Sequence, residues 1–311
     1  MYLVTGGAGF IGSNISREAL KRGFRVRILD NFSTGHWSNI ADIRGDVEVV
    51  EGDIRSYHIV RSAMEGVEVV FHQGALPSVP RSIADPITTN EVNVQGTLNI
   101  LHAALDSGCR RVLFASSSSI YGDAEEEVKN EELHVKPLSP YAVSKLAGEK
   151  YMQVFHHIYD LETVALRYFN VFGPYQDPDS PYSAVIPLFI RAYLEGRSPV
   201  INGDGSQSRD FTFIDNVVHA NLLAAEAAEA PGKMMNIACG DSVTVNELAE
   251  KVASITGRTD ISPRHGPPRP GDVKHSMADI SRAEEFLGYS PVKTFREGLE
   301  ETVSFMLRRW G

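Results

Sequence analysis

Cysteine is scarce in this sequence, and so are long apolar runs. Only two of the 311 residues are cysteine, Cys109 and Cys239, and they stand far apart, outside any metal-ligand spacing. This excludes a disulfide framework, and we expect no metal site. No stretch approaches the ~20 apolar residues of a transmembrane helix. The opening MYLVTGGAGF also lacks the basic run and long apolar core of a signal peptide. We therefore expect a cytoplasmic protein with no membrane contact.

Positive charge is also in deficit. Lys and Arg number 30 against 40 Asp and Glu, which gives a formal net charge of −10. Such a chain is repelled by polyanions, which argues against non-specific binding to nucleic acid or to anionic membranes. A phosphate site, if present, must be local and built from a few arginines and backbone N–H groups.

What the first half does contain is an alternation of short apolar runs and helical patterns. The runs are rich in Val, Ile, Leu and Phe, as strands buried on both faces should be. They are Tyr2–Thr5, Arg25–Leu29, Val47–Glu51, Val67–His72, Arg111–Ala115 and Thr163–Arg167. Helices are predicted between several of them, including 93–105 and 141–159. The pattern predicts an α/β fold with a Rossmann-type, doubly wound parallel sheet over residues 1–172.

From about residue 173 the rhythm changes. Prolines punctuate a loop-rich stretch at 174, 178, 181 and 187. Further on, Thr244 and Glu247 form the pattern of a helix capping box. No flexible linker separates the two halves. We expect residues 173–311 to form a smaller α/β substrate-binding domain packed on the first.

A glycine-rich turn follows the first strand. Gly6, Gly9 and Gly12 lie between that strand and the first helix, where glycines let a pyrophosphate approach the helix N-terminus. The second strand leads into Asp30, whose carboxylate would accept hydrogen bonds from a ribose 2′-hydroxyl and repel a 2′-phosphate. Strand, turn and acid together predict a dinucleotide site that favours NAD over NADP. Asp53, after the third strand, is placed to reach an adenine edge.

The chemical centre is predicted where the fifth strand ends in four serines, Ser116–Ser119. Downstream, Tyr141 and Lys145 are spaced i and i+4 behind Pro140, so they are neighbours on one helix face. A nearby ammonium favours the phenolate, and we expect it to lower the pKa of the tyrosine from about 10 towards neutrality. Such a phenol can remove a hydroxyl proton while hydride leaves the same carbon for a nicotinamide.

Taken together these motifs resemble the extended short-chain dehydrogenase/reductase family, and within it the UDP-glucose/UDP-N-acetylglucosamine 4-epimerase group. The resemblance covers nearly the whole chain. It rests on the segments TGGAGFIGS, LDNFSTG, EGDIR, HQGALPSVPRS, NVQGTLN, SSSSIYGD, SPYAVSK, RYFNVFGPYQDP, INGDGSQSRDF and RPGDVKHSMADIS.

The resemblance implies a set of site residues. Those implied to contact NAD are Gly6, Gly9, Phe10, Ile11, Gly12, Asp30, Asn31, Ser33, Gly35, Asp53, Ile54, Gln73, Asn93, Tyr141, Lys145 and Tyr168. Ser117 matches the catalytic serine, with Ser118 a near competitor. Those implied to hold the nucleotide-sugar are Ser78, Arg81, Asn170, Arg209, Arg269 and Asp272, with the arginines 209 and 269 at its phosphates.

The implied reaction is a reversible oxidation. Tyr141 takes the proton of the sugar 4-hydroxyl, C4 gives hydride to NAD, and the 4-keto sugar turns about its pyrophosphate tether. Hydride then returns to the other face. The family resemblance also implies a homodimer, formed through the helices near 93–105 and 141–159.

Departures from the family pattern bear on the substrate. Ser276 stands where a large tyrosine restricts the sugar pocket in some members, so we expect N-acetylhexosamine forms of the UDP-sugar to be accepted as well. Sugar-nucleotide 4,6-dehydratases need an acid pair just after the catalytic hydroxyl residue, and this chain has Ser118 and Ser119 there. UDP-glucuronate 4-epimerases and decarboxylases are closer rivals, for which Arg81 or Arg191 could hold the C6 carboxylate. A catalytically silent NAD-binding sensor is a further alternative, although Tyr141 and Lys145 are both present.

Overall fold

A seven-stranded parallel sheet is the centre of the protein, whose computed structural model describes residues 1–177, 179, 184–268 and 274–310. The strands in chain order are β1 (Tyr2–Thr5), β2 (Val26–Asp30), β3 (Val47–Glu51), β4 (Val69–His72), β5 (Arg111–Ser117), β6 (Val128–Lys129), β7 (Glu162–Tyr168), β8 (Val171–Phe172), β9 (Val200–Asn202), β10 (Ser208–Arg209), β11 (Thr212–Phe213), β12 (Met234–Ile237), β13 (Val243–Thr244), β14 (Arg264–Gly266) and β15 (His275–Ala278). The large sheet has the order β12-β7-β5-β4-β1-β2-β3, with every neighbouring pair parallel.

Helices cover both faces of this sheet. The α-helices of the described residues, on this sheet and beyond it, are α1 (Phe10–Lys21), α2 (Tyr57–Ala63), α3 (Val79–Ala84), α4 (Pro86–Asn90), α5 (Gly96–Asp106), α6 (Pro140–Tyr159), α7 (Val185–Leu194), α8 (Ile214–Glu226), α9 (Val245–Ile255), α10 (Ser281–Leu287) and α11 (Phe295–Trp310). A π-helical turn, Glu91–Gln95, joins α4 to α5. No helix among the described residues is long and apolar enough to cross a membrane.

The core lies in two layers because successive strand residues point to opposite faces. In β1, Leu3 belongs to one buried apolar cluster and Val4 to the other. Val70 and Phe71 of β4 divide in the same way. Strands that are apolar on both faces therefore need helices on both sides, and this confirms the predicted Rossmann-type parallel sheet.

All six predicted strands are present: Tyr2–Thr5 and Val47–Glu51 have the predicted ends, and the ends of the other four differ by at most two residues. The seventh, β12, comes from the half of the chain assigned to the substrate domain, and it pairs with β7. Helix α8, from the same half, packs against α1 and the sheet. The boundary between residues 172 and 173 stays a prediction, but the chain returns to the large sheet after crossing it.

A second, smaller sheet lies beside the large one, with the order β13-β10-β15-β6. It places Arg209 opposite Ser276, since β10 and β15 run parallel in that register. The predicted capping box is confirmed at α9, where Thr244 accepts from the Glu247 N–H and the Glu247 side chain accepts from the Thr244 N–H.

Candidate active site

The glycine turn after β1 packs closely on α1 and leaves the backbone of the helix N-terminus accessible to a ligand. Gly6 has a φ of +65°, which disfavours any residue with a side chain. A Cβ on Gly12 would lie 2.3 Å from the Gly6 carbonyl oxygen, so the turn and α1 can pack only without one. Gly9 is the N-cap of α1, and its missing side chain leaves the first turn of the helix open to a ligand. Unpaired N–H groups at such a helix start suit a phosphate.

Asp30 ties this turn to the loop that follows β2. Its Oδ2 accepts from the Ala8 N–H at 2.9 Å, and its Oδ1 accepts from the Phe32 N–H at 2.8 Å. Burial raises the pKa of this carboxyl, and the two backbone N–H groups oppose the rise. Each carboxylate oxygen retains a second acceptor position, so Asp30 can still meet a ribose hydroxyl.

A cleft of about 560 Å³ runs from this turn across the carboxyl ends of the strands. Most of the predicted cofactor residues line it: Gly6, Gly9, Phe10, Ile11, Gly12, Asp30, Asn31, Ser33, Gly35, Asp53, Ile54, Gln73, Tyr141, Lys145 and Tyr168. Ser78 and Arg81, predicted to lie near the sugar, line it as well. The structure thus brings together residues drawn from four successive strand ends.

The wall beside the predicted adenine position is already hydrogen-bonded. Asp53 accepts from Asn31 Nδ2 at 2.9 Å and from Arg55 Nη2 at 2.8 Å. The Arg55 guanidinium holds the pKa of this carboxyl down at about 2. Asp53 is therefore a fixed anionic acceptor at the cleft.

Asn93 does not line the cleft. Its Oδ1 accepts from the Leu76 N–H at 2.7 Å, and its Nδ2 donates to the Leu76 carbonyl at 3.1 Å and to Ser144 Oγ at 3.0 Å. The side chain is buried and serves to hold the loop 73–78, whose residues do line the cleft. The structure places Asn93 behind the site, as a support for its wall.

Tyr141 and Lys145 of the predicted chemical centre line the cleft, whereas Ser117 and Ser118 are not among its lining residues. The Ser117 hydroxyl is close enough to hydrogen-bond to the Tyr141 phenol, and Lys145 Nζ lies 5.9 Å from the centre of the Tyr141 ring. Ser118 lies beyond the strand, in the 3-10 turn Ser118–Tyr121. The geometry therefore favours Ser117 over Ser118 as the partner of Tyr141.

The expected lowering of the tyrosine pKa by Lys145 is not what the structure shows. Burial raises the pKa of the Tyr141 phenol, and only the hydrogen bond to Ser117 opposes it. Lys145 Nζ donates to the Ala115 carbonyl at 2.8 Å, and burial lowers its own pKa to about 8. Desolvation of the buried phenol is therefore the dominant effect on the Tyr141 pKa.

A second cleft of about 250 Å³ adjoins the first, and Ala184 lines both. Asn170 and Arg209, two predicted substrate residues, lie in its wall. Asn170 is held in a left-handed conformation with φ of +36°, and its Nδ2 donates to the Asp210 carbonyl at 2.9 Å. The cleft therefore joins a mostly apolar wall to one arginine.

Several residues that line the clefts were missed by the sequence analysis. Phe189, Phe211, Asn202 and Gln207 line the second cleft. Gln176 and its neighbours line the first, after a chain reversal at Tyr175. These residues come from short elements far apart in the sequence, so no local spacing identifies them. The INGDGSQSRDF segment covered Asn202, Gln207 and Phe211, and RYFNVFGPYQDP covered Gln176, but neither assigned them a role.

Three other predicted substrate residues are not found in the wall of either cleft. Ser276 is half-buried in β15 and is not among the residues that line either cleft. Arg269 and Asp272 lie outside the described residues.

The described residues fit a dinucleotide. The glycine turn packs tightly on α1 because Gly12 has no Cβ, and the same cleft is lined by the turn and by two carboxylate acceptors, Asp30 and Asp53. Residues 2–238 match the model of the NAD dependent epimerase/dehydratase family. The chain belongs to this family. It is an NAD-dependent enzyme of that group, and its Rossmann-type sheet and family resemblance are confirmed.

Individual relatives agree along the full length. The chain is 39% identical over 307 residues to UDP-glucose 4-epimerase of Mycolicibacterium smegmatis, covering 97% of each chain. Among solved structures, it superposes on UDP-N-acetylglucosamine 4-epimerase of Methanobrevibacter ruminantium, in complex with UDP-N-acetylmuramic acid, with a TM-score of 0.94, 40% identity and coverage of 99% and 98%. The UDP-glucose 4-epimerase of Thermus thermophilus, solved with NAD, gives a TM-score of 0.89, 36% identity and 98% coverage of both chains.

Proposed function

We propose that this enzyme is a UDP-sugar 4-epimerase, which oxidises C4 of the sugar and reduces it again from the opposite face. The observation that carries the proposal is that Tyr141 and Lys145 line a dinucleotide cleft, with Ser117 close to the Tyr141 phenol, and that a second cleft containing Arg209 adjoins it. Relatives named as UDP-sugar 4-epimerases support it.

Each polar group then has one task. Tyr141 removes the proton of the 4-hydroxyl and later returns it, and Ser117 hydrogen-bonds the same sugar oxygen. Lys145 supplies a positive charge on the same helix face. The glycine turn, Asp30 and Asp53 would hold NAD, which would supply a hydride acceptor and a cationic ring. The charge of that ring would oppose the burial that otherwise keeps the Tyr141 pKa high.

We propose that the 4-keto sugar is reduced again and does not lose water. Ser118 and Ser119 follow the catalytic strand in a 3-10 turn, where a dehydratase needs an acid to expel water from the sugar. Neither hydroxyl can donate a proton as a carboxylic acid does at neutral pH. The oxidised sugar is therefore left to be reduced again.

The second cleft supports a nucleoside diphosphate as the handle of the substrate. Phe189 and Phe211 offer apolar surface to a base, and Arg209 offers a cation to a phosphate. We propose that Arg209 and Asn170 hold the UDP part, while Ser78 and Arg81 face the sugar from the N-terminal end of α3. Tight binding of the nucleotide would keep the keto sugar in place while it turns.

The sugar itself is proposed to be glucose or galactose and also their N-acetylhexosamine forms. Ser276 is small and, although it lines neither cleft itself, lies opposite Arg209, which lines the second. The similar Methanobrevibacter structure is that of a UDP-N-acetylglucosamine 4-epimerase. Replacing Ser276 with Tyr should depress turnover of UDP-N-acetylglucosamine at least about tenfold more than that of UDP-glucose, because only the N-acetyl form needs the added room. Equal losses on the two substrates would contradict the idea.

Uronate chemistry is the second candidate, and Arg81 is the observation that favours it. Its side chain lines the first cleft beside Ser78, where a C6 carboxylate could pair with it. The same preparation should therefore be offered UDP-glucuronate. Epimerisation or release of carbon dioxide faster than turnover of UDP-galactose would move the assignment to a uronate enzyme.

The central test is an assay without added cofactor. Purified enzyme should convert UDP-galactose to UDP-glucose with the NAD it carries, and NADH should not accumulate. Tyr141→Phe should lower turnover by at least about 100-fold, since a general acid–base is lost, while NAD stays bound. Tyr159→Phe, at the exposed end of the same helix, is the matched control and should keep full activity. Bound NAD without turnover in the unaltered enzyme would instead indicate a sensor.

We also propose a homodimer, for which α6 provides the surface. Val143, Val154 and Ile158 are 52%, 44% and 61% exposed and lie on one stripe of this helix. Ile83 and Ile87, on the adjoining α3 and α4, are 64% and 72% exposed. Exposed apolar side chains on neighbouring helices suit a self-complementary twofold contact. A cytoplasmic location stays a prediction.

A further inference from the structure

A buried polar network lies directly behind the catalytic group. Ser116, the residue before Ser117, donates from Oγ to Glu149 Oε1 at 2.5 Å. Glu149 is fully buried and binds Arg167 through two hydrogen bonds of 2.9 Å. Arg167 Nη1 donates to the Tyr121 hydroxyl at 2.9 Å, and that hydroxyl donates to Asn236 Oδ1 at 2.7 Å.

The network is attached to the helix that carries the catalytic residues. Tyr141, Lys145 and Glu149 are spaced by four residues on α6, so they share the face that meets β5. Lys145 donates to the Ala115 carbonyl at 2.8 Å, and Glu149 receives the hydroxyl of the next residue, Ser116. The helix therefore holds two consecutive strand residues, and Ser117 is the residue that comes next.

Burying the charged Glu149–Arg167 pair costs more free energy than filling the same volume of the core requires. Both side chains are within 2% of complete burial, and removing charges from water costs several kcal/mol per ion. Apolar residues of similar size would often stabilise a fold as well. An apolar pair, however, could not fix Ser116 by a hydrogen bond. Nor could it connect that strand to Asn236, whose Nδ2 donates to the Asp279 carbonyl at 3.1 Å next to β15.

We propose that Ser116, Glu149 and Arg167 are positioning residues that set the place of Ser117 relative to Tyr141. Ser116 fixes the strand end against α6, Arg167 holds the Glu149 carboxylate in one orientation, and Tyr121 and Asn236 brace Arg167. The idea rests on the proposed epimerisation, because it assigns these residues to the geometry of that reaction.

The test uses the complete enzyme and compares three variants. Ser116→Ala removes one hydroxyl and leaves the ion pair intact. Its kcat for UDP-galactose should fall at least about tenfold with little change in KM, because small misplacement of a reacting group is costly once the substrate is bound. Ser116→Thr keeps the hydroxyl and should recover most of the loss.

The matched control is Thr163→Val. Thr163 Oγ1 donates to the Met152 carbonyl at 2.8 Å, so this variant also removes a buried strand-to-helix hydrogen bond on α6, far from Tyr141. It should lower the melting temperature much as Ser116→Ala does but leave kcat unchanged. If both variants lose stability and both keep kcat, the network only supports the fold and the proposal is overturned.

A separate outcome concerns the reaction itself. If the unaltered enzyme does not interconvert UDP-sugars, the proposed function fails before the network is tested on it. Tyr121→Phe provides a further check, since it removes the brace of Arg167 without touching Ser116. It should reduce kcat in the same direction, and by less; an unchanged kcat would limit the positioning role to Ser116 and Glu149 and contradict the part assigned to the brace.

Discussion

His72 lies at the carboxyl end of β4 between two threonine hydroxyls. Its Nδ1 is 2.7 Å from Thr5 Oγ1 and its Nε2 is 2.9 Å from Thr97 Oγ1. Burial, with a smaller contribution from the charge of Lys145, lowers its pKa to about 3. The folded enzyme therefore keeps this ring neutral under conditions in which the unfolded chain, with a histidine pKa of about 6.5, binds a proton.

The sign of the linkage makes His72 a source of acid sensitivity. Its contribution to the free energy of unfolding is fully present above about pH 6.5 and is lost as the pH falls towards 3, because the unfolded state binds more protons in that window. Between pH 7 and pH 4 the loss should be on the order of 3 kcal/mol. Denaturant unfolding of the unaltered enzyme and of His72→Gln, at equal NAD, measures it. Parallel pH curves for the two proteins would refute this role.

At the scale of single residues, the sequence predicted those features of the site that depend on the spacing of neighbouring residues. The glycine turn, Asp30 and the Tyr141/Lys145 pair each depend on a few neighbouring positions and a strand end, and the structure brings them to one cleft. Burial is a property of the whole fold, which is why the rise in the Tyr141 pKa was not predictable from the i, i+4 spacing. The support that Asn93 gives to Leu76 is likewise visible only when the loop 73–78 is in place.

At the scale of the element, α6 and β5 pack more closely than helix and strand usually do. Gly148 faces Phe114, and a Cβ there would lie 2.4 Å from the Phe114 ring. The same face of the helix carries Tyr141 and Lys145. The glycine thus lets the catalytic helix approach the strand that ends in Ser117.

The substitution Gly148→Ala should have two opposing effects on the free energy of unfolding. Helix propensity alone would make alanine about 1 kcal/mol more favourable than glycine. The overlap with a buried aromatic ring should outweigh it, and we expect a net loss of about 1–3 kcal/mol with a fall in kcat as α6 moves outward. Thermal unfolding and turnover measure both. Ala147→Gly, at the preceding position, is the control that measures the effect of helix propensity alone. A stabilised, fully active Gly148→Ala would show that a methyl group fits between α6 and Phe114 and would contradict the prediction.

Strands and helices of the first half were predictable because their apolar runs are strong and regularly spaced. β12 was not, since Asn236 interrupts its short apolar run and it follows a helix in the half of the chain that lacks that rhythm. The second cleft was not predicted from the sequence for a related reason. Phe189 belongs to α7, whereas Phe211 lies between the short strands β10 and β11, and only the tertiary fold joins them.

For the whole molecule, the apolar stripe on α6 predicts the oligomeric state. Val154→Glu combined with Ile158→Glu places two charges on it, which should shift the enzyme from dimer to monomer because a buried interface cannot solvate them. Light scattering behind a sizing column measures the mass. Val292→Glu, 51% exposed and outside this stripe, is the control and should leave the mass unchanged. A monomeric unaltered enzyme at micromolar concentration would contradict the proposed contact.

The late arrival of β12 has a consequence for how the chain is made. Until residue 237 has left the ribosome, β7 is an edge strand with unpaired N–H and C=O groups, although the whole glycine turn and the catalytic helix have already been synthesised. Such an edge invites pairing with other chains while translation continues. A nascent chain stalled after residue 172 should therefore depend on chaperones, whereas one extended past residue 237 can close its own sheet.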